Sequence, residues 1–226
     1  MDTEKQANQS TQDDEKFDEV LADELKLDEW TIWEHYESLE QKKVQFDAKY
    51  LVSFKKVAWF NDVISYWQVW QNLPISNLKN FFFNSSSSTQ PTYDVKGELK
   101  RISTISMFLK GVKPMFEDSA NIQGGEYQIR LATNIKEDTF DYLNSIWQSL
   151  VQDVITKRFP NSNQILGVRI VDKSFSGKMN FRIEIWVRYN KESAEEAPAI
   201  RKFLDEEYYQ KYSDNQGGIP FKLHVF

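Results

Sequence analysis

The sequence contains no cysteine, which excludes disulfides, a cysteine-built zinc site and a thiol nucleophile, and suits a reducing compartment. Histidine is almost as scarce, with His35 and His224 the only imidazoles. No apolar run approaches the ~20 residues that cross a bilayer, and the polar, acidic N-terminus lacks the basic and apolar parts of a secretory leader. An intracellular protein is expected, cytoplasmic and with the nucleus as a second compartment, away from membranes. Cationic excess is missing too: a net charge of -6 and a pI near 5.1 oppose broad coating of nucleic acid. Any nucleotide site must therefore be a local patch. No Ser-His-Asp ordering, phosphate loop or metal-ligand spacing stands out, so neither catalysis, nor a metal, nor a cofactor is expected.

What the chain does have is aromatic and aliphatic bulk. At 226 residues, 40% of them apolar and 15% aromatic, it can bury one substantial core. Residues 1–28 are acidic and polar and are expected to form a disordered arm, leaving 29–226 as the folded domain. Strands are expected at 30–36 and 49–57, followed by a helix on which Val63, Trp67 and Trp70 recur at i, i+4, i+7. Residues 80–104 carry three consecutive phenylalanines, a serine run at 85–88, Pro91 and Gly97, and read as a mobile insertion. Strands at 105–110 and 126–131 follow. Leu143, Ile146, Trp147, Leu150, Val151, Val154 and Ile155 then repeat with helical period. Strands at 165–173 and 179–188, a helix across 197–212 and a strand at 221–226 complete the chain. Two strands and a helix, three times over, predict an α/β (α+β) domain: a single curved antiparallel sheet, three helices on its convex face, and a concave face left for ligand.

The run Pro114-Met115-Phe116-Glu117-Asp118 sets a ring beside a carboxylate at the end of a β-rich stretch. Phe116 offers a π-face for a base, and ionised Glu117 can accept two N–H donors at once, which the guanine edge supplies. Methylation at guanine N7 would add a cation–π gain of ~0.5–2 kcal/mol per ring. A core phenylalanine explains Phe116 equally simply. The side chains of neighbouring Glu117 and Asp118 point apart on an extended chain, which argues against an acid–base pair. On the strand at 179–188, Phe181, Ile183, Ile185 and Val187 point one way and Arg182, Glu184, Trp186 and Arg188 the other. Lys157, Arg158, Arg169, Lys173, Lys178, Arg182 and Arg188 face only Asp172 and Glu184 in the same stretch. They form either a phosphate-binding patch or an ordinary solvated face.

These motifs, in this order, resemble the eukaryotic translation initiation factor 4E family. The likeness runs from about Trp30 to the C-terminus: a helix through Val63 and Trp67, the Pro114–Asp118 segment, and the Gly124-Gly125 pair. The resemblance implies binding of the 7-methylguanosine cap of mRNA, with Phe116 and Tyr50 as stacking rings and Phe46 as a rival to Tyr50. Glu117 would hold the guanine edge, Trp186 would touch the methyl group, and Lys173, Lys178 and Arg182 would meet the phosphates. It also implies a monomer whose convex back, at Val63, Trp67, Gln148 and Gln152, receives a scaffold factor or binding protein bearing a Tyr-x4-Leu-apolar helix. Several positions depart from the family. Tyr50 and Phe116 stand for tryptophans, as Tyr50 does in repressor homologues; Gln148 and Gln152 stand for leucines; Glu126 replaces a basic residue; and the family's loop beyond the last strand has no counterpart. A cap-binding repressor and a scaffold of the same fold that has lost the cap therefore remain alternatives.

Overall fold

The computed structural model describes residues 25–39, 53–82, 92–95, 97–134, 139–174, 178–190, 195–209 and 219–224. Its eight strands are β1 (Lys26–Ser38), β2 (Phe54–Asp62), β3 (Tyr93–Val95), β4 (Glu98–Leu109), β5 (Gly125–Asn134), β6 (Ile165–Asp172), β7 (Lys178–Val187) and β8 (Phe221–Leu223). They form one curved antiparallel sheet in the order β2-β1-β4-β6-β7-β5-β8, with β3 paired to β4. Helices α1 (Val63–Asn72), α2 (Leu78–Phe82), α3 (Thr139–Ile155) and α4 (Ala197–Leu204) accompany it, the last running into a wider turn at Asp205–Tyr209.

Period decides which face is which. On β7, Phe181, Ile183, Ile185 and Val187 are fully buried in the main core. Against them lies the α3 stripe Leu143, Ile146, Trp147, Leu150, Val151 and Val154, spaced three and four apart. Burying each such side chain contributes about 1.5–3 kcal/mol, so α3 and the central strands anchor each other. Tyr66 and Trp70 do the same for α1, one turn apart. Asp62 starts that helix: its carboxylate accepts the Ser65 N–H at 2.7 Å, and the Ser65 hydroxyl accepts the Asp62 N–H at 3.3 Å. This capping box fixes the phase that turns Trp67 outward.

Several expectations need correction. The first strand reaches back to Lys26, inside the stretch expected to be an arm; residues 1–24 lie outside the described part. The second strand sits later, at Phe54–Asp62, with Phe60 inside it. Part of the supposed insertion is regular structure, since the end of α2, β3 and the first seven residues of β4 fall within residues 80–104; 83–91 and 96 lie outside the described part. The last strand is shorter than expected, ending at Leu223, which is exposed, and the next residue, His224, is buried; 225–226 lie outside the described part.

β4 and β5, consecutive in the chain, do not pair. Two strands, β6 and β7, separate them. Residues 110–124 must therefore arch across the ends of both, and that arch lays Phe116 over the sheet.

Candidate ligand slot and partner surface

Cross-strand register builds the concave floor. One row of facing residues runs Thr31, Phe108, Gly167, Trp186, Glu126 and Lys222. The next runs Trp33, Ser106, Arg169, Glu184 and Gln128, and a third His35, Thr104, Val171, Arg182 and Arg130. Gly167 is required by close approach: a Cβ there would sit 2.5 Å from Phe108 Cγ and 2.6 Å from the Met107 carbonyl oxygen.

The arch over this floor is braced from within. Asp118 accepts the backbone N–H groups of Lys113 and Ala120 at 3.1 and 3.0 Å. Asn121 donates to the Lys113 and Met115 carbonyls at 2.7 and 2.8 Å. Its own carbonyl accepts or faces His224 Nδ1 at 2.9 Å. Asp118 is thus a brace, while Glu117 points outward and is exposed. The expected extended dipeptide is instead part of a turn, closed by the Asp118 N–H donating to the Met115 carbonyl at 3.3 Å, and its two carboxylates serve different ends. Gly124 lets β7 come close beneath the arch, because a Cβ there would lie 2.3 Å from the Val187 carbonyl oxygen.

Phe116 is half-buried and lies parallel to Trp186, with ring centroids 4.9 Å apart and planes 5° apart. Trp186 is 0% exposed, packed with Phe108, Val112, Leu166 and Ala120. The expected methyl contact is therefore not open at Trp186 in this arrangement. The reason is topological, since the arch has to cross β7 and buries the indole. Arg169 lies over Trp186, its guanidinium 4.5 Å from the ring centroid, and Lys222 Nζ is 5.6 Å from the Phe116 centroid.

Charge on the floor is largely internal. Glu184 is fully buried and accepts from Arg169 Nε, from Arg182 Nε, and from Trp186 Nε1 at 3.0 Å. Arg182 is therefore tethered, and only part of its side chain faces the slot. Glu126 accepts from Gln128 Nε2 at 2.6 Å and faces His224 Nε2 at 3.5 Å. Burial pushes the Glu126 carboxyl up, but the His224 contact, the Arg169 charge and the Gln128 amide together outweigh it and hold it at about 2. Lys173 is exposed at the end of β6, its N–H donating to the Asn180 carbonyl at 2.8 Å. Lys178 opens β7 opposite Asn134. Lys157 and Arg158 belong elsewhere, paired with Asp28 and Asp153, both at 3.0 Å. Tyr50 and Phe46 lie outside the described residues. Sequence reading missed Glu184, His224 and Arg169 as partners, although the two-residue period of β7 already put Arg182, Glu184 and Trp186 on one face.

His35 shares the third row. Burial first, then the charge of Arg169, lowers its imidazole to about 4. The unfolded chain takes up a proton near pH 6.5 that the fold refuses until about pH 4, so stability falls as pH drops through that window. The half-buried ring keeps some solvent screening, so the loss expected is on the order of 1–2 kcal/mol. Urea unfolding at pH 7 and pH 4.5 should show the protein losing more stability than His35→Gln; equal losses would remove His35 from the account.

On the opposite face, Trp67 is 39% and Ile64 57% exposed, with Val63 half-buried beside them. Ile64 thus adds to the outer surface rather than the core. Gln148 and Gln152 are half-buried on α3, one turn apart, and α3 packs beside α1, with Val151 and Tyr66 lining one cavity. The four expected partner residues therefore lie on two neighbouring helices.

Comparison with known proteins agrees with this architecture. The family model described as eukaryotic initiation factor 4E matches residues 26–224. Eukaryotic translation initiation factor 4E1 of Drosophila melanogaster is 38% identical over 89 residues, 39% of this chain and 31% of that protein. The Candida albicans factor 4E is 22% identical over 160 residues, 70% of this chain and 62% of its own length. The chain therefore matches less than two thirds of either relative's length. C. elegans eIF4E-3, solved with the 4E-binding protein Mextli, superposes with a TM-score of 0.61 at 17% identity, covering 88% of this chain and 93% of that one. Schistosome eIF4E, solved with m7GpppA and 4E-BP, gives 0.59 at 16% identity, over 88% and 87%. Ascaris suum eIF4E-3 with an m2,2,7G cap gives 0.59 at 18%, over 89% and 91%. With its curved sheet, its arch and a family match spanning nearly every described residue, the chain belongs to the eukaryotic initiation factor 4E family.

Proposed function

We propose that the chain binds the 7-methylguanosine cap of mRNA in the concave slot and engages a helix-bearing partner on its convex back, without chemistry. The observation that carries this reading is the arch. It holds a half-buried ring, Phe116, beside an exposed acceptor-only carboxylate, Glu117, above a floor that carries Arg169, Arg182 and Arg130. A base stacked on Phe116 would meet Glu117 along its edge and send its phosphates toward Arg182, Lys173 and Lys178. Tyr50 is the second ring on this reading. Trp186 supports Phe116 from below and reaches the ligand only if Phe116 swings away. Relatives of the same fold solved with cap analogues and 4E-binding proteins support both surfaces.

The covered indole and the tethered Arg182 also favour a second reading, a scaffold of the same fold that has lost the cap. Retention on 7-methylguanosine resin separates the two. Release by free methylated but not by unmethylated guanine nucleotide is expected for the cap binder, and no retention for the scaffold.

A further inference from the structure

Given a phosphorylated guanine nucleotide in the concave slot, we propose that Glu184 sets how strongly the site rewards each phosphate, so that added phosphates contribute little beyond what the base contributes. This rests on the reading above and goes beyond it. Glu184 sits at the centre of the floor, fully buried, and its two oxygens are divided between two guanidiniums: Oε2 accepts from Arg169 Nε and Oε1 from Arg182 Nε. Two cations and one anion leave a single net charge where two would otherwise stand. Arg169 cannot be released to a ligand, because it is itself buried and lies over Trp186. Arg182 is open only in part, its side chain 27% exposed. Pulling it outward would strip a buried carboxylate of half its compensation, which is costly in a low-dielectric interior. The neighbouring carboxylate Glu126, also fully buried, subtracts again one strand away. A phosphate that reaches Arg182 therefore competes with an internal anion for the same donor.

The test is the affinity of 7-methylguanosine mono-, di- and triphosphate for the protein and for Glu184→Gln. The variant should raise the triphosphate-to-monophosphate ratio about tenfold. An unchanged or smaller ratio would overturn the proposal and make Glu184 a residue that merely positions its arginines. Should the variant fold poorly, the unmodified protein still decides. The slope of log affinity against log salt should steepen by less than about one ion from mono- to triphosphate; a larger increase overturns the proposal. If the unmodified protein binds none of the three nucleotides, the slot reading itself fails and takes this one with it. If it binds all three but either ratio or slope goes the wrong way, only the role of Glu184 falls.

Discussion

Glu117→Gln should weaken binding of 7-methylguanosine nucleotide by about 10- to 100-fold. The substitution keeps the size of the side chain but exchanges one acceptor for a donor, which then faces a guanine N–H donor across the slot. Nothing in the arch depends on Glu117 for its shape. Asp118 and Asn121 make the bracing bonds, and Glu117 is exposed beside them. The variant should consequently unfold at the temperature of the unmodified protein. Fluorescence titration with the methylated nucleotide checks the affinity, and an unchanged value would remove Glu117 as the base reader.

Trp67→Ala should lower affinity for a Tyr-x4-Leu-bearing peptide by at least about thirtyfold while leaving nucleotide affinity within a few-fold. An exposed tryptophan flanked by exposed Ile64 and half-buried Val63 has the make-up of a binding anchor. The helix itself is held by Tyr66 and Trp70, buried on its other side, and by the Asp62 cap, so truncating Trp67 should not unseat it. The two surfaces also lie on opposite faces of the sheet. Peptide binding by calorimetry, beside nucleotide binding on the same preparation, checks both halves. Equal loss of the two, with the fold intact, would show that the surfaces are not separate.

Legibility in the sequence followed the range of the physics involved. The α3 stripe and the β7 alternation are local patterns, and each predicted its element and its buried face. The arch segment was legible as a motif because Phe116, Glu117 and the glycine pair are close in sequence. Its position over Trp186 was not, since that depends on β4 and β5 being parted by two strands that come later in the chain. Residues 98–104 read as part of the insertion because the serine run, Pro91 and Gly97 lead into them, yet Ser103 and Thr104 are buried on the sheet. Glu184 looked like a solvated strand charge. Alternation places a side chain on a face but does not say that Arg169 and Arg182 close over it.

The central claim is that methylated guanine enters at the arch, above Phe116 and Trp186, and the Trp186 indole reports on it directly. Its Nε1–H donates to Glu184 beneath the Phe116 ring, so any base that stacks on or displaces that ring must change its environment. A nuclear magnetic resonance titration of the indole N–H signals with 7-methylguanosine diphosphate, assigned by single tryptophan replacements, is the most direct test. The account predicts a saturating shift at Trp186, a far smaller response to unmethylated guanosine diphosphate, and no shift at Trp67. Saturation with Trp186 unmoved, or shifts confined to Trp67, would contradict it.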